Sequence, residues 1–158
     1  MKHLPKHLRP RWRYLAVGIE TWPDASVGRR AFQRDLWYAA QNLLGDPGSA
    51  DADLTVVRFD FSGGTGHAVV RARRGEVERA RAAVACLDSV GGDPVGTRVR
   101  GVSGTVRACE EKYIPRQPEP TGERKVAFED ADRRAVVRGD RIDVAVGDAF
   151  AGATELDY

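Results

Sequence analysis

The chain is poor in the residues that build reactive centres: two cysteines, three histidines and one methionine in 158 residues. Cys86 and Cys109 have neither paired spacing nor a neighbouring histidine, which excludes a disulfide framework and a zinc or redox motif and leaves buried or idle thiols. No apolar run approaches the ~18 residues that cross a bilayer, and no small-residue cleavage site follows the basic start. A soluble, cytoplasmic chain with no membrane contact is expected. Acid is missing as well, because the first carboxylate is Glu20 while five Lys or Arg lie between Lys2 and Arg13.

The same scarcity weakens every catalytic reading. His3 and His7 are four apart, but Pro5 lies between them and no third ligand is suggested. His67 reads as an ordinary strand-edge histidine, and Glu110-Glu111 and Glu129-Asp130 as solvated charge. Residues 62 to 67, SGGTGH, join two strands, whereas a phosphate-binding glycine loop needs a helix start to donate its amides. Gly101-Val102-Ser103-Gly104-Thr105 allows either close approach of the backbone to a ligand or a bulge at a strand exit. No catalytic residue and no metal or cofactor held by the protein itself is expected.

What the chain has is arginine, 21 of its 25 basic residues. Arginine binds phosphate through a planar fork and stacks on bases, although a GC-rich coding genome enriches it too. The net charge of +2 hides a division: residues 1 to 109 carry 17 basic against 11 acidic side chains, and residues 110 to 158 carry 8 against 12. A basic body with an acidic tail points to a polyanionic partner for the body.

Periodicity gives the order of elements. Leu15, Val17 and Ile19 alternate with Trp12, Tyr14, Ala16 and Gly18 in a first strand. A helix capped by Asp24 or Ser26 follows, with the stripe Phe32, Leu36, Ala40, Leu43 and Leu44, ending at Gly45 before a loop, GDPGSADAD. Two alternating strands joined by the glycine turn come next, with Val57, Phe59 and Phe61 set against Val56, Arg58 and Asp60. A second helix carries Val77, Ala80, Val84 and Leu87, and a last strand runs from Val95 to Val106. The fold class expected is α+β, a ferredoxin-like (RNA-recognition-like) βαββαβ sandwich: a four-stranded antiparallel sheet with helices on one face over residues 1–112, plus a C-terminal extension. Residues 113–158 begin with a proline-rich linker and are expected as an acidic extension, either a small hairpin about Gly139-Asp140 or a loosely ordered segment.

Strict alternation would stand Trp12, Tyr14, Arg58, Arg71, Arg73, Arg98 and Arg100 on the face away from the helices. Together with Lys6, Arg9, Arg11, Arg13 and Arg107 they form the candidate RNA-binding set, arginines meeting phosphates and the two rings accepting bases. The competing arrangement covers Trp12 and Tyr14 with terminal segments or a partner protein.

Residues 8–15 (LRPRWRYL), 76–87 (EVERARAAVACL) and 99–109 (VRGVSGTVRAC), with the GDPGSA and LTVVRFD stretches, resemble the archaeal ribonuclease P protein component 2 family. The resemblance spans roughly residues 4 to 112. It implies a subunit of the ribonucleoprotein that removes the 5′ leader from precursor tRNA, where ribonuclease P RNA and its Mg²⁺ perform the hydrolysis. It also implies a second protein, ribonuclease P protein component 3, as partner, with precursor tRNA met indirectly. The residues alone leave two rivals open: a small-molecule-binding regulatory domain, and an acylphosphatase-like hydrolase.

Overall fold

The computed structural model describes residues 4–116 and 121–154; Lys2, His3 and the prolines Pro118 and Pro120 of the expected linker lie outside them. Among the described residues the protein is α+β, with three α-helices and two four-stranded antiparallel sheets. The body contains β1 (Trp12–Glu20), α1 (Arg29–Ala52), β2 (Thr55–Ser62), β3 (Thr65–Arg73), α2 (Val77–Ala85), a small hairpin of β4 (Ser89–Val90) and β5 (Asp93–Pro94), β6 (Gly96–Ser103) and α3 (Val106–Tyr113). Its sheet has the order β2-β3-β1-β6. Leu15, Val17 and Ile19 of β1 and Ala68, Val70 and Ala72 of β3 meet Phe32, Leu36 and Ala40 of α1 and Ala80, Ala83 and Val84 of α2 in the main core.

Local chemistry explains the departures from the expected elements. α1 starts after Gly28 instead of at Asp24 or Ser26, because Val27 is drawn into the core. It breaks at Gly45, where φ is 72°, and resumes across Pro47 to Ala52, so most of the expected loop is helical; proline is accepted in a first helical turn, where its missing N–H costs nothing. Strict alternation also fails twice. Val57 is an extra residue in β2 opposite β3, and Arg100 an extra residue in β6 opposite β1. Each bulge reverses the facing of what precedes it, so Val56 joins Phe59 and Phe61 at the core while Val57 turns to the other side.

That other side is not open. The last strand, expected to reach Val106, ends at Ser103, and the chain turns into α3, with Thr105 as N-cap accepting from Ala108 N at 3.1 Å. α3 lies across Ala16 and Val69, burying Cys109 and packing Tyr113 and Ile114 beside Tyr14 and Val57. Gly101 makes the approach possible: a Cβ there would stand 2.3 Å from the Tyr113 ring. Of the glycines in 101–105, Gly101 therefore admits a helix of the same chain.

The extension folds into a meander of β7 (Thr121–Phe128), β8 (Ala131–Arg138), β9 (Arg141–Val146) and β10 (Ala149–Ala153), joined by two-residue turns such as Gly139-Asp140, with Gly139 at φ 62°. One face collects Val126, Ala135, Ile142, Val144 and Ala153 in a second core. The other face docks on the body through arginines. Arg138, 2% exposed, donates to Asp143 at 2.7 Å, to Thr65 Oγ1 at 3.1 Å, to Gly64 O at 3.3 Å and to Thr21 O. Arg141 pairs with Glu20 and Arg134 with Asp24, and Phe150 meets the Trp22 ring edge-on at 5.5 Å. The tail is acidic in sum, but its grip on the body is cationic.

Candidate nucleic-acid interface

The approach to β1 is a short 3₁₀ turn, Lys6–Leu8, closed by Leu8 N donating to Pro5 O at 2.8 Å and by Arg9 Nε donating to Leu4 O at 2.8 Å. Lys6, Arg9 and Arg11 project into solvent. Arg74 N donates to Arg11 O at 2.9 Å, which sets a further exposed cation beside them. The sequence reading missed Arg74; the run RARR at 71–74 was its signal.

Register builds the centre of this cluster. Trp12 pairs with Arg73 and Tyr14 with Arg71, and the Arg71 guanidinium lies 4.0 Å above the centroid of the Trp12 ring, that of Arg73 5.2 Å away. A cation over an aromatic face at a partly exposed site contributes ~0.5–1 kcal/mol. Arg71 Nε is buried with no hydrogen-bond partner among the described residues, so the ring face substitutes for an acceptor. The stack presents a planar guanidinium beside the exposed cations, a surface suited to phosphates and to an unpaired base.

Other members of the candidate set stand elsewhere, because α3 divides the face. Tyr14 is half-buried, packed against α3. Arg58 is drawn to Glu110 of α3 at 3.3 Å, and exposed Arg107 pairs with Glu111 at 2.9 Å. Arg73 is partly neutralised by Asp53 at 3.7 Å. Arg13 lies on the side of Leu15, opposite Ala72, and donates to Trp12 O at 3.2 Å. Arg98 and Arg100 belong to the far end of the sheet, where Arg98 pairs with Gly18, about 20 Å from Trp12 at ~3.3 Å per residue. One shared basic sheet surface is thus replaced by two separate clusters.

Beneath α3, Cys109 is fully buried and its thiol donates to Tyr14 O at 3.6 Å. Burial, with a smaller contribution from nearby Glu110, pushes that thiol up to about 11. The folded value lies above the ~8.5 of a free thiol, so the neutral thiol's contribution to stability is complete below about pH 8.5 and is lost as pH rises towards 11. Exposed Cys86 should react with iodoacetamide at pH 7.5 while Cys109 does so only on unfolding, a difference mass spectrometry reads directly.

α1 turns Trp37 (48% exposed), Tyr38 (56%) and Leu43 (46%) to solvent; of the two leucines expected at the end of the buried stripe, Leu44 packs on the core and Leu43 does not. Trp37 is tethered by its Nε1 donating to Leu54 O at 2.7 Å. Among the described residues no helix is long and apolar enough to cross a membrane.

Comparison with known proteins agrees with the motifs around this interface. A protein named ribonuclease P protein component 2 from Haloarcula marismortui is 68% identical over 100% of this chain and 99% of its own length, and its namesake from Halorubrum lacusprofundi is 65% identical over 99% of both. The namesake from Thermococcus kodakarensis is 35% identical over 72% of this chain and 91% of its own. The first two therefore share the C-terminal sheet's sequence, whereas the matching family model covers residues 13–114 and stops before β7. By that model and these relatives, the chain belongs to the Rpp14/Pop5 family, alongside the archaeal ribonuclease P protein component 2 proteins.

Proposed function

We propose that this chain is a non-catalytic protein subunit of ribonuclease P, which binds the ribonuclease P RNA and supports its removal of the 5′ leader from precursor tRNA. The observation that carries the reading is the full-length identity to relatives bearing that name, together with the exposed cations Lys6, Arg9, Arg11 and Arg74 around the Trp12–Arg71 stack. Phosphate neutralisation by these groups supplies position on the RNA more than base specificity. The body is a ferredoxin-like sandwich in this reading, supported by the order β2-β3-β1-β6 with α1 and α2 on one face. The RNA carries the Mg²⁺ and the chemistry, and the chain works in the cytoplasm. Trp37, Tyr38 and Leu43 on α1 supply the apolar surface for a protein partner, ribonuclease P protein component 3, and precursor tRNA is met through the assembly.

The test is reconstitution with Arg9, Arg11 and Arg74 changed to Gln. Precursor-tRNA cleavage should fall at least about tenfold at moderate salt and recover partly when salt is lowered, since the phosphate contacts that remain bind more tightly where fewer ions compete. Cleavage equal to wild type across the salt series would remove the basis of the reading, as would turnover of an acyl phosphate or precursor tRNA by the isolated chain.

A further inference from the structure

The second cluster encloses a cavity of about 200 Å³ between the body and the C-terminal sheet. Its floor is the row His67, Gly18 and Arg98, three residues in register across β3, β1 and β6. The bulge at Arg100 folds that side chain over Gly18, whose missing Cβ would otherwise stand 3.0 Å from Arg100 Nε. The wall comes from the extension: Arg141 reaches the cavity from β9 and is held there by Glu20. Arg98, Arg100 and Arg141 line a space in which Glu20, the one carboxylate among the described lining residues, already has Arg141 against it and Arg138 at 3.9 Å.

From this geometry we infer that the cavity between body and C-terminal sheet is a binding site for one phosphate group, held by Arg98, Arg100 and Arg141, and complete only while the C-terminal sheet is docked. The cavity is smaller than the ~300 Å³ at which drug-sized sites begin, so it fits a compact anion and not a nucleobase. Arginine forks match such an anion by two-point hydrogen bonds. Arg98 is exposed and, among the described residues, has no ion-pair or hydrogen-bond partner, leaving its donors available. The cavity also shares Thr65, Gly66, His67 and Pro115 with a wider groove of about 530 Å³ along α3, where Arg58 and Arg116 are set among Asp60, Glu110 and Glu111. Two sources share this chemistry, a backbone phosphodiester and free phosphate; the first rests on the RNA-binding reading and the second does not.

The experiment titrates inorganic phosphate into the ¹⁵N-arginine-labelled full chain at constant ionic strength set with chloride, following the Nε–H signals. A saturable shift is expected for Arg98, Arg100 and Arg141, weakened about tenfold or more in Arg98→Gln with Arg100→Gln and restored in part by Arg100→Lys. A second arm measures ribonuclease P RNA affinity. A parallel loss in the double variant assigns the site to the RNA backbone, and unchanged RNA affinity assigns it to free phosphate. Absence of saturation in the wild-type chain, or saturation untouched by the double variant in a chain whose spectrum is otherwise native, overturns the site. If wild type instead binds phosphate saturably but has no affinity for the RNA, the RNA-binding reading fails and the site stands.

Discussion

Arg138→Ala will release the C-terminal sheet from the body and cost about 3–5 kcal/mol, the usual range when one partner of a buried ion pair is removed. The size follows from what is left behind. Asp143, 7% exposed, would keep its charge without its 2.7 Å donor, and the carbonyls of Thr21 and Gly64 would each lose a buried donor. The rest of the contact is weak by comparison: Arg134 and Arg141 are partly exposed, and exposed pairs contribute ~0–1 kcal/mol. Hydrogen exchange should show rapid loss of protection at the β2–β3 turn and at Phe150, with the Phe32–Leu36 core still protected. Lysine at 138 should recover only part of the loss, since an ammonium cannot span Asp143, Thr65 and two carbonyls at once. Unchanged protection in Arg138→Ala would mean that the sheet is held by something other than this side chain.

Gly101→Ala should lift α3 from the sheet. The new methyl would stand 2.3–2.5 Å from three atoms of the Tyr113 ring, well inside contact distance, and the ring cannot swing away while Cys109 and Ile114 pin the helix to Ala16 and Val69. Overpacking of this kind costs ~1–3 kcal/mol. Two readouts separate displacement from general weakening: Cys109 should become reactive to iodoacetamide at pH 7.5, and Tyr113→Ala in the Gly101→Ala background should recover part of the stability, a non-additive result. If Cys109 stays protected and the melting temperature is unmoved, the close packing of Tyr113 on Gly101 is wrong.

How far the sequence speaks depends on what encodes each feature. The strands, the two core helices and the turns were legible because Leu15-Val17-Ile19, the Phe32-Leu36-Ala40 stripe and Gly63-Gly64 carry period and turn chemistry in a few adjacent residues. The bulges at Val57 and Arg100 were not, since one inserted residue leaves a valine-rich strand looking regular while reversing its faces. α3 had a signal, Cys109 and Tyr113 four apart behind a Thr105 cap, but the valines at 95, 99, 102 and 106 favoured extending the strand. The docking of the extension was illegible: net charge describes a segment as a whole, whereas Arg134, Arg138 and Arg141 share one face only because β8 and β9 pair in a particular register. Alternation placed Arg71, Arg73, Arg98 and Arg100 on the face of Trp12, as the register has them, but did not give the distance along β1 that separates Arg98 and Arg100 from the other two.

In the proposed function the cations around Trp12 neutralise RNA phosphates. The most direct measurement is the slope of log K against log salt for binding to ribonuclease P RNA, in the wild-type chain and in the variant with Arg9, Arg11 and Arg74 changed to Gln. A slope shallower by about 2–3 in the variant is predicted, close to one for each phosphate contact removed. Parallel slopes with equal affinity would contradict the claim and leave these side chains as ordinary solvated charge.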